Sequence, residues 1–114
     1  MTTNFYDTCS LLLKSGDLFE EENSFIISSI TLKELERIKE DRNKDPEIKY
    51  AARHFLDQLL QPENVNKCRI EVFKVAMLEP LIEADLEIND DLKILATALS
   101  LKEDYDLTFI TNDH

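Results

Sequence analysis

Glycine occurs once in these 114 residues, at Gly16. A glycine-rich phosphate loop needs several residues without Cβ at fixed spacing, so that route to nucleotide binding is excluded. With only three prolines as well, the chain is neither collagen-like nor of low complexity. Cysteine is sparse too. Cys9 and Cys68 lie far apart and form no Cys-x-x-Cys pair, and His54 and His114 stand at no metal-type spacing from them, which argues against a structural zinc site. Cys9 falls in an apolar run and is expected to be a small buried residue. No Ser-His-Asp spacing is present. Apolar runs stay well short of the ~20 residues that span a bilayer. Thr2, Thr3, Asn4 and Asp7 interrupt the N-terminus, so no secretory leader is read and a reducing, cytoplasmic setting without membrane is expected.

Positive charge is also scarce. Thirteen Lys and Arg face 24 Asp and Glu, a formal net charge of −11. Such a chain has no general affinity for phosphate backbones, which weighs against a broad nucleic-acid surface. What the sequence does have is enough apolar content, 43%, to build the core of one domain over residues 1–114.

Asn4-Phe5-Tyr6-Asp7 reads as a short strand ending in an acid. Leu11–Lys14 reads as the first turns of a helix, stopped by Ser15-Gly16-Asp17, and Glu20–Asn23 as an acidic loop. Ser24–Ser28 is a continuous apolar strand of the type buried on both faces of a parallel sheet. Thr31-Leu32-Lys33-Glu34 has the form of a capping box at the start of a helix reaching about Glu40. Asp41–Asp45 connects it to a second helix opened by Pro46, with Ala51, Phe55, Leu56, Leu59 and Leu60 as its apolar stripe. Arg69–Val75 alternates like a strand. Met77–Glu83 is open between loop and short helix. Residues 87–101 form the strongest helix, with Leu92, Leu95, Leu99, Ile94, Ala98 and Leu101 as a wide stripe expected to pack hard. Leu107–Thr111 is a final strand. Strands alternating with helices predict a three-layer α/β/α fold around a central parallel sheet.

In such sheets ligands bind off the carboxyl ends of the strands. Asp7 and Asp113 fall at strand ends, and Glu34 and Asp91 in first turns of helices, so the four carboxylates are expected to meet on one edge. Carboxylates bunched there repel one another; two unit charges about 4 Å apart repel by about 4 kcal/mol at an effective dielectric near 20. A hard divalent cation such as Mg²⁺ removes that repulsion and prefers oxygen ligands. The densest basic stretch, Lys33, Arg37, Lys39, Arg42, Lys44, Lys49 and Arg53, is placed to grip phosphates beside the acids. Glu36, Glu40 and Asp41 are interleaved with it, which favours the plainer reading of a solvated helix face with internal ion pairs.

Four segments taken in order carry a family resemblance. They are Tyr6-Asp7-Thr8 with Leu11-Leu12, Ile27 to Leu35, Asn89 to Ala98, and Phe109 to Asp113. Together they resemble the PIN domain of ribonucleases over nearly the whole chain. Glu47 to Arg53 is similar to the PIN domain that precedes a PhoH-type ATPase. The resemblance implies an endoribonuclease dependent on Mg²⁺ or Mn²⁺, with Asp7, Glu34, Asp91 and Asp113 as catalytic acids. Asp7, Asp91 and Asp113 would ligate the metal, and Glu34 would ligate through water or orient the nucleophile. Thr111 matches the hydroxyl residue before the last acid and, with Lys33 and Arg37, would contact RNA. Asp91 is preferred to Asp90 by its spacing from Ile94. Two features depart from the pattern. Cys9 stands where the family often has Asn, and His114 closely follows the last motif where the family usually continues, so a chain truncated at the C-terminus is one expectation. Partners implied are RNA, a second copy of the chain, or a C-terminal ATPase domain. The main alternative is a catalytically silent PIN-like module that binds a partner or dimerises. A phospho-receiver domain also clusters acids, but it would want a lysine after a late strand, and none follows Thr111.

Each acid also has a plainer reading. Asp7 is a turn residue after a strand, Glu34 the capping-box glutamate, Asp91 a favourable charge at a helix start, and Asp113 a loop residue near the chain end.

Overall fold

The computed structural model describes residues 2–14, 17–22, 24–82, 88–102 and 106–111. Strand β1 (Thr3–Tyr6) leads into α1 (Thr8–Lys14), and a short α2 (Leu18–Glu21) precedes β2 (Phe25–Ser28). Then come α3 (Ser29–Glu40), α4 (Pro46–Leu59), β3 (Cys68–Glu71), a short α5 (Glu79–Ile82), α6 (Asp90–Leu101) and β4 (Leu107–Ile110). The strands pair in parallel in the order β3-β2-β1-β4. The chain steps outward from β1 through β2 to β3, then returns to the other side of β1. The strand order therefore reverses between β1 and β4, the place where open parallel sheets leave a crevice at their carboxyl ends.

Each sheet face buries its own cluster. Because side chains alternate along a strand, Tyr6, Phe25 and Ile27 point one way and Phe5 and Ile26 the other. The first set packs with Leu11 of α1, Leu18 and Phe19 of α2, Leu35 of α3 and Phe55 of α4. Rings dominate this core: Phe25 lies 5.4 Å from Phe19 and 5.8 Å from Tyr6, and Phe19 stacks on Phe55 at 5.2 Å. The second set packs with Ile30 and with Ile94, Ala98 and Leu101 of α6. Two helical layers enclosing a parallel sheet give the expected α/β/α arrangement. Among the described residues, no helix is long and apolar enough to cross a membrane.

Several local readings need correction. Ser28, not Thr31, caps α3: its Oγ accepts the Ile30 N–H at 3.1 Å, and Thr31 is fully buried inside the helix. Helix α1 begins at Thr8, and Leu18–Glu21 is helical because Leu18 and Phe19 are drawn into the core. Strand β3 stops at Glu71, and a 3-10 turn occupies Val75–Leu78, so the alternation read through Val75 is only half strand. Ala52, not Ala51, is the buried alanine of α4, and Leu60 is exposed past its end. Cys9 is exposed and Cys68 buried, the reverse of the expectation for Cys9. Burial pushes the Cys68 thiol up to about 12, so it stays protonated and unreactive.

A buried hydroxyl pair ties β2 to α6. Thr97 donates to the Lys93 carbonyl at 2.8 Å, and Ser28 Oγ lies 3.0 Å from Thr97 Oγ1. With Thr97's proton committed, Ser28 donates across the pair while accepting from Ile30. Both side chains are fully buried. Ser28→Ala therefore removes a helix cap and strands a buried hydroxyl, and is expected to lower stability by about 1–3 kcal/mol in denaturant unfolding.

Candidate active site at the carboxyl edge of the sheet

Asp7 follows β1 directly. Its backbone N–H continues the ladder to the Ile110 carbonyl at 3.1 Å. Its side chain caps α1: Oδ1 accepts the Ser10 N–H at 2.9 Å and the Ser10 hydroxyl at 2.5 Å. Oδ2 accepts the Thr111 hydroxyl. Ser10 Oγ also reaches the Ile110 carbonyl at 2.8 Å, so one small side chain holds the ends of β1 and β4 together. The carboxylate is thus fixed in orientation from both sides.

Glu34 does not fill the capping-box role, since Ser28 caps that helix. Glu34 lies beyond the first turn of α3 and accepts the Thr8 hydroxyl at 2.7 Å. Thr8 in turn lies 3.2 Å from the buried Thr31 hydroxyl. This chain of hydroxyls connects the start of α1 to α3. Glu34 is partly buried, and burial raises its pKa first of all; the Asp90 and Asp91 charges raise it further, while the Thr8 hydrogen bond and the Arg37 charge act in the opposite direction. Glu34 therefore sits within electrostatic reach of both acids that open α6.

Those two acids differ. Asn89 caps α6 by accepting the Leu92 N–H at 2.9 Å, which leaves both aspartates of the first turn available for other contacts. Asp90 pairs with Arg37 of α3 at 3.6 Å. Asp91 is exposed and lines a cavity of about 790 Å³ that Asp7 and Thr111 also line. Asp7, Asp91 and Thr111 thus share one opening. Glu34 feels the charges of Asp90 and Asp91, and Arg37 pairs with Asp90, without lining it. Lys33 is exposed on α3. Asp113 lies outside the described residues. Of the six other basic residues singled out with Lys33, Arg37 reaches an acid of this group through Asp90. As an exposed pair, that contact contributes little to stability.

Sequence reading missed Ser10, Thr8 and Thr31. The run Asp7-Thr8-Cys9-Ser10 does carry a signal, because an acid three residues before a serine at a helix start is the spacing of a reciprocal cap.

Among the described residues, no three carboxylate, imidazole or thiol groups gather into a set that would hold a metal unaided. That is compatible with Mg²⁺ or Mn²⁺, which are commonly held by one or two carboxylates with several waters and substrate oxygens completing the shell. The donors at the opening are hard oxygens of that kind.

Glu34 makes a further prediction. A carboxyl whose folded pKa lies above its unfolded value takes up its proton earlier in the native state, so stability falls as pH rises through that window. Glu34→Gln removes the burdened charge and keeps an acceptor for Thr8. In chelator at neutral pH the variant is expected to melt a few degrees above wild type, and the difference should shrink as the pH approaches 4.

Residues 5–114 match the family described as PIN domain. No curated relative matches the chain. Among solved structures, the crystal structure of VapBC2 from Rickettsia felis, bound to a DNA fragment from their promoter, is similar at 20% identity and a TM-score of 0.49. The similarity covers 99% of this chain and 100% of that one. With the family match running over nearly the whole chain, this protein belongs to the PIN domain family, whose members are generally nucleases.

Proposed function

We propose that the chain is a metal-dependent ribonuclease domain that hydrolyses RNA phosphodiester bonds at the carboxyl edge of its sheet. The observation that carries this reading is the shared opening of Asp7, Asp91 and Thr111, with Glu34 under the field of Asp90 and Asp91. The charges of Asp90 and Asp91 raise the Glu34 pKa, a repulsion that a divalent cation bound nearby would relieve. Asp7 and Asp91 would hold Mg²⁺ or Mn²⁺, with Asp113 as a third donor. A bound ion of this type stabilises charge on phosphoryl oxygens and makes water a better nucleophile.

The chain's own residues supply orientation. Thr111 and Ser10 lock the Asp7 carboxylate, and Thr8 fixes Glu34. Glu34, with its raised pKa, is suited to accept a proton from attacking water at Oε2, because Thr8 occupies Oε1. Arg37, anchored by Asp90, presents a guanidinium beside the acids where a phosphate would arrive, and Lys33 would add charge from the same helix.

The test is cleavage of a single-stranded RNA with Mn²⁺, with and without chelator, alongside melting temperatures at millimolar Mn²⁺. The proposal expects chelator-sensitive cleavage and a rise in melting temperature. A flat melting temperature with no cleavage would favour a silent binding module.

A further inference from the structure

Helix α6 has an unusual face. Asp91, Leu95, Leu99 and Lys102 follow one another at helical spacing, and all four line the cavity that Asp7 opens into. Leu95 and Leu99 remain 36% and 43% exposed, whereas the neighbouring Leu92, Ile94, Ala96, Ala98 and Leu101 are at most 9% exposed. The expected hard-packed stripe is therefore split. Leu92, Ile94 and Ala98 pack into the core and edge the cavity as well, while Leu95 and Leu99 stand open in its wall, with Leu107 and Phe109 of β4 lining it too.

We propose that this cavity receives a nucleobase of single-stranded RNA adjoining the phosphate held at the acids, an assignment that rests on the nuclease reading above. The charge pattern along α6 runs acid, apolar, apolar, cation. A nucleotide strand offers the matching order: a phosphate for the cation held at Asp7 and Asp91, a flat weakly polar base for the leucine wall, and a further phosphate for Lys102. The cavity is of ligand-binding size, and Asn89, whose Oδ1 caps α6, also lines it and has its side-chain NH2 to donate to a base edge. A double helix keeps its bases stacked inside, so only an unpaired base can enter. A peptide with an apolar anchor would have to bring its own positive charge to the two acids. A nucleotide instead brings a phosphate to the cation they hold.

The test uses a single-stranded ribo-oligonucleotide and a series carrying one abasic ribose at each position in turn. Cleavage is followed with Mn²⁺, and binding by fluorescence anisotropy with Ca²⁺. One abasic position beside the cut is expected to lower kcat/KM about tenfold. Leu95→Ser/Leu99→Ser, whose sites are partly exposed and whose fold is checked by melting, is expected to cut the intact strand as slowly as wild type cuts the abasic one, with no further loss on the abasic strand. Metal-dependent cleavage that ignores the abasic positions would overturn the base site and leave the nuclease reading standing. Abasic-sensitive binding without cleavage would do the reverse. Binding to neither strand would sink both. If the double variant handles RNA like wild type but shifts a dimer to monomer in ultracentrifugation, the face belongs to a second copy of the chain and the base site is wrong.

Discussion

Asp7→Asn is expected to reduce Mn²⁺-dependent RNA cleavage by about 10³-fold or more while leaving the fold intact. The two halves of that expectation come from different atoms. As a carboxylate, Asp7 shares an opening with Asp91 and, on the proposed function, would supply negative charge to a divalent ion. An amide is a far weaker ligand, and losing charge stabilisation at a reacting phosphate is worth several kcal/mol of barrier. As a cap, Asp7 needs an acceptor for the Ser10 N–H, which the carbonyl of asparagine provides. Its NH2 then stands where Oδ2 accepted the Thr111 hydroxyl and donates to that oxygen instead, so the change in stability is expected to be small. Single-turnover cleavage and thermal melting of the same preparation separate the two. Activity retained within a fewfold of wild type would remove Asp7 from the chemistry. A collapse of melting temperature would show the residue to be mainly structural.

The largest effect on stability is expected from Phe25→Ala. Phe25 is fully buried on β2, between the rings of Tyr6, Phe19 and Phe55. No neighbouring side chain can collapse into the gap without leaving its own contacts. The substitution should therefore cost about 3–5 kcal/mol. Set against a total of about 5–15 kcal/mol for a typical domain, that is a large share, and the midpoint should fall by roughly 10–20 °C. Leu95→Ala on the cavity wall removes a partly exposed leucine and should shift the midpoint far less. Similar losses at the two positions would mean that the ring cluster is not the centre of stability.

The two positions also show what local pattern reveals. The run Phe25-Ile26-Ile27 announces a strand buried on both faces because nothing in it is polar. The stripe of α6 announces a helix because its period is unambiguous. The pattern does not say which leucines meet the sheet and which meet solvent, because that depends on where β4 ends and how far α6 leans over it. Leu95 and Leu99 could therefore not be told from Leu92 in the sequence. The same reason governs the caps. Thr31 and Glu34 satisfy the capping-box spacing, yet Ser28 lies at the strand-to-helix junction and takes the role, which moves Thr31 into the interior and leaves Glu34 for Thr8. The position of Asp7 was legible, since an acid straight after a strand can hardly lie elsewhere. The choice between Asp90 and Asp91 rested on family spacing alone; in the fold one pairs with Arg37 and the other faces the cavity. Ser10 joins β1 to β4 across nearly the whole chain, a contact that only tertiary structure can disclose.

Paramagnetic broadening by Mn²⁺ reads the location of the ion residue by residue in the intact chain. As Mn²⁺ is raised from substoichiometric levels, the amide signals of Asp7, Thr8, Asp91 and Thr111 should vanish first, well ahead of those of the acidic run Glu20–Glu22. Asp91→Asn should abolish that order and Asp90→Asn should preserve it. Uniform broadening across all acidic surfaces, or the same sequence of losses in Asp91→Asn, would contradict a cation site at the mouth of this cavity.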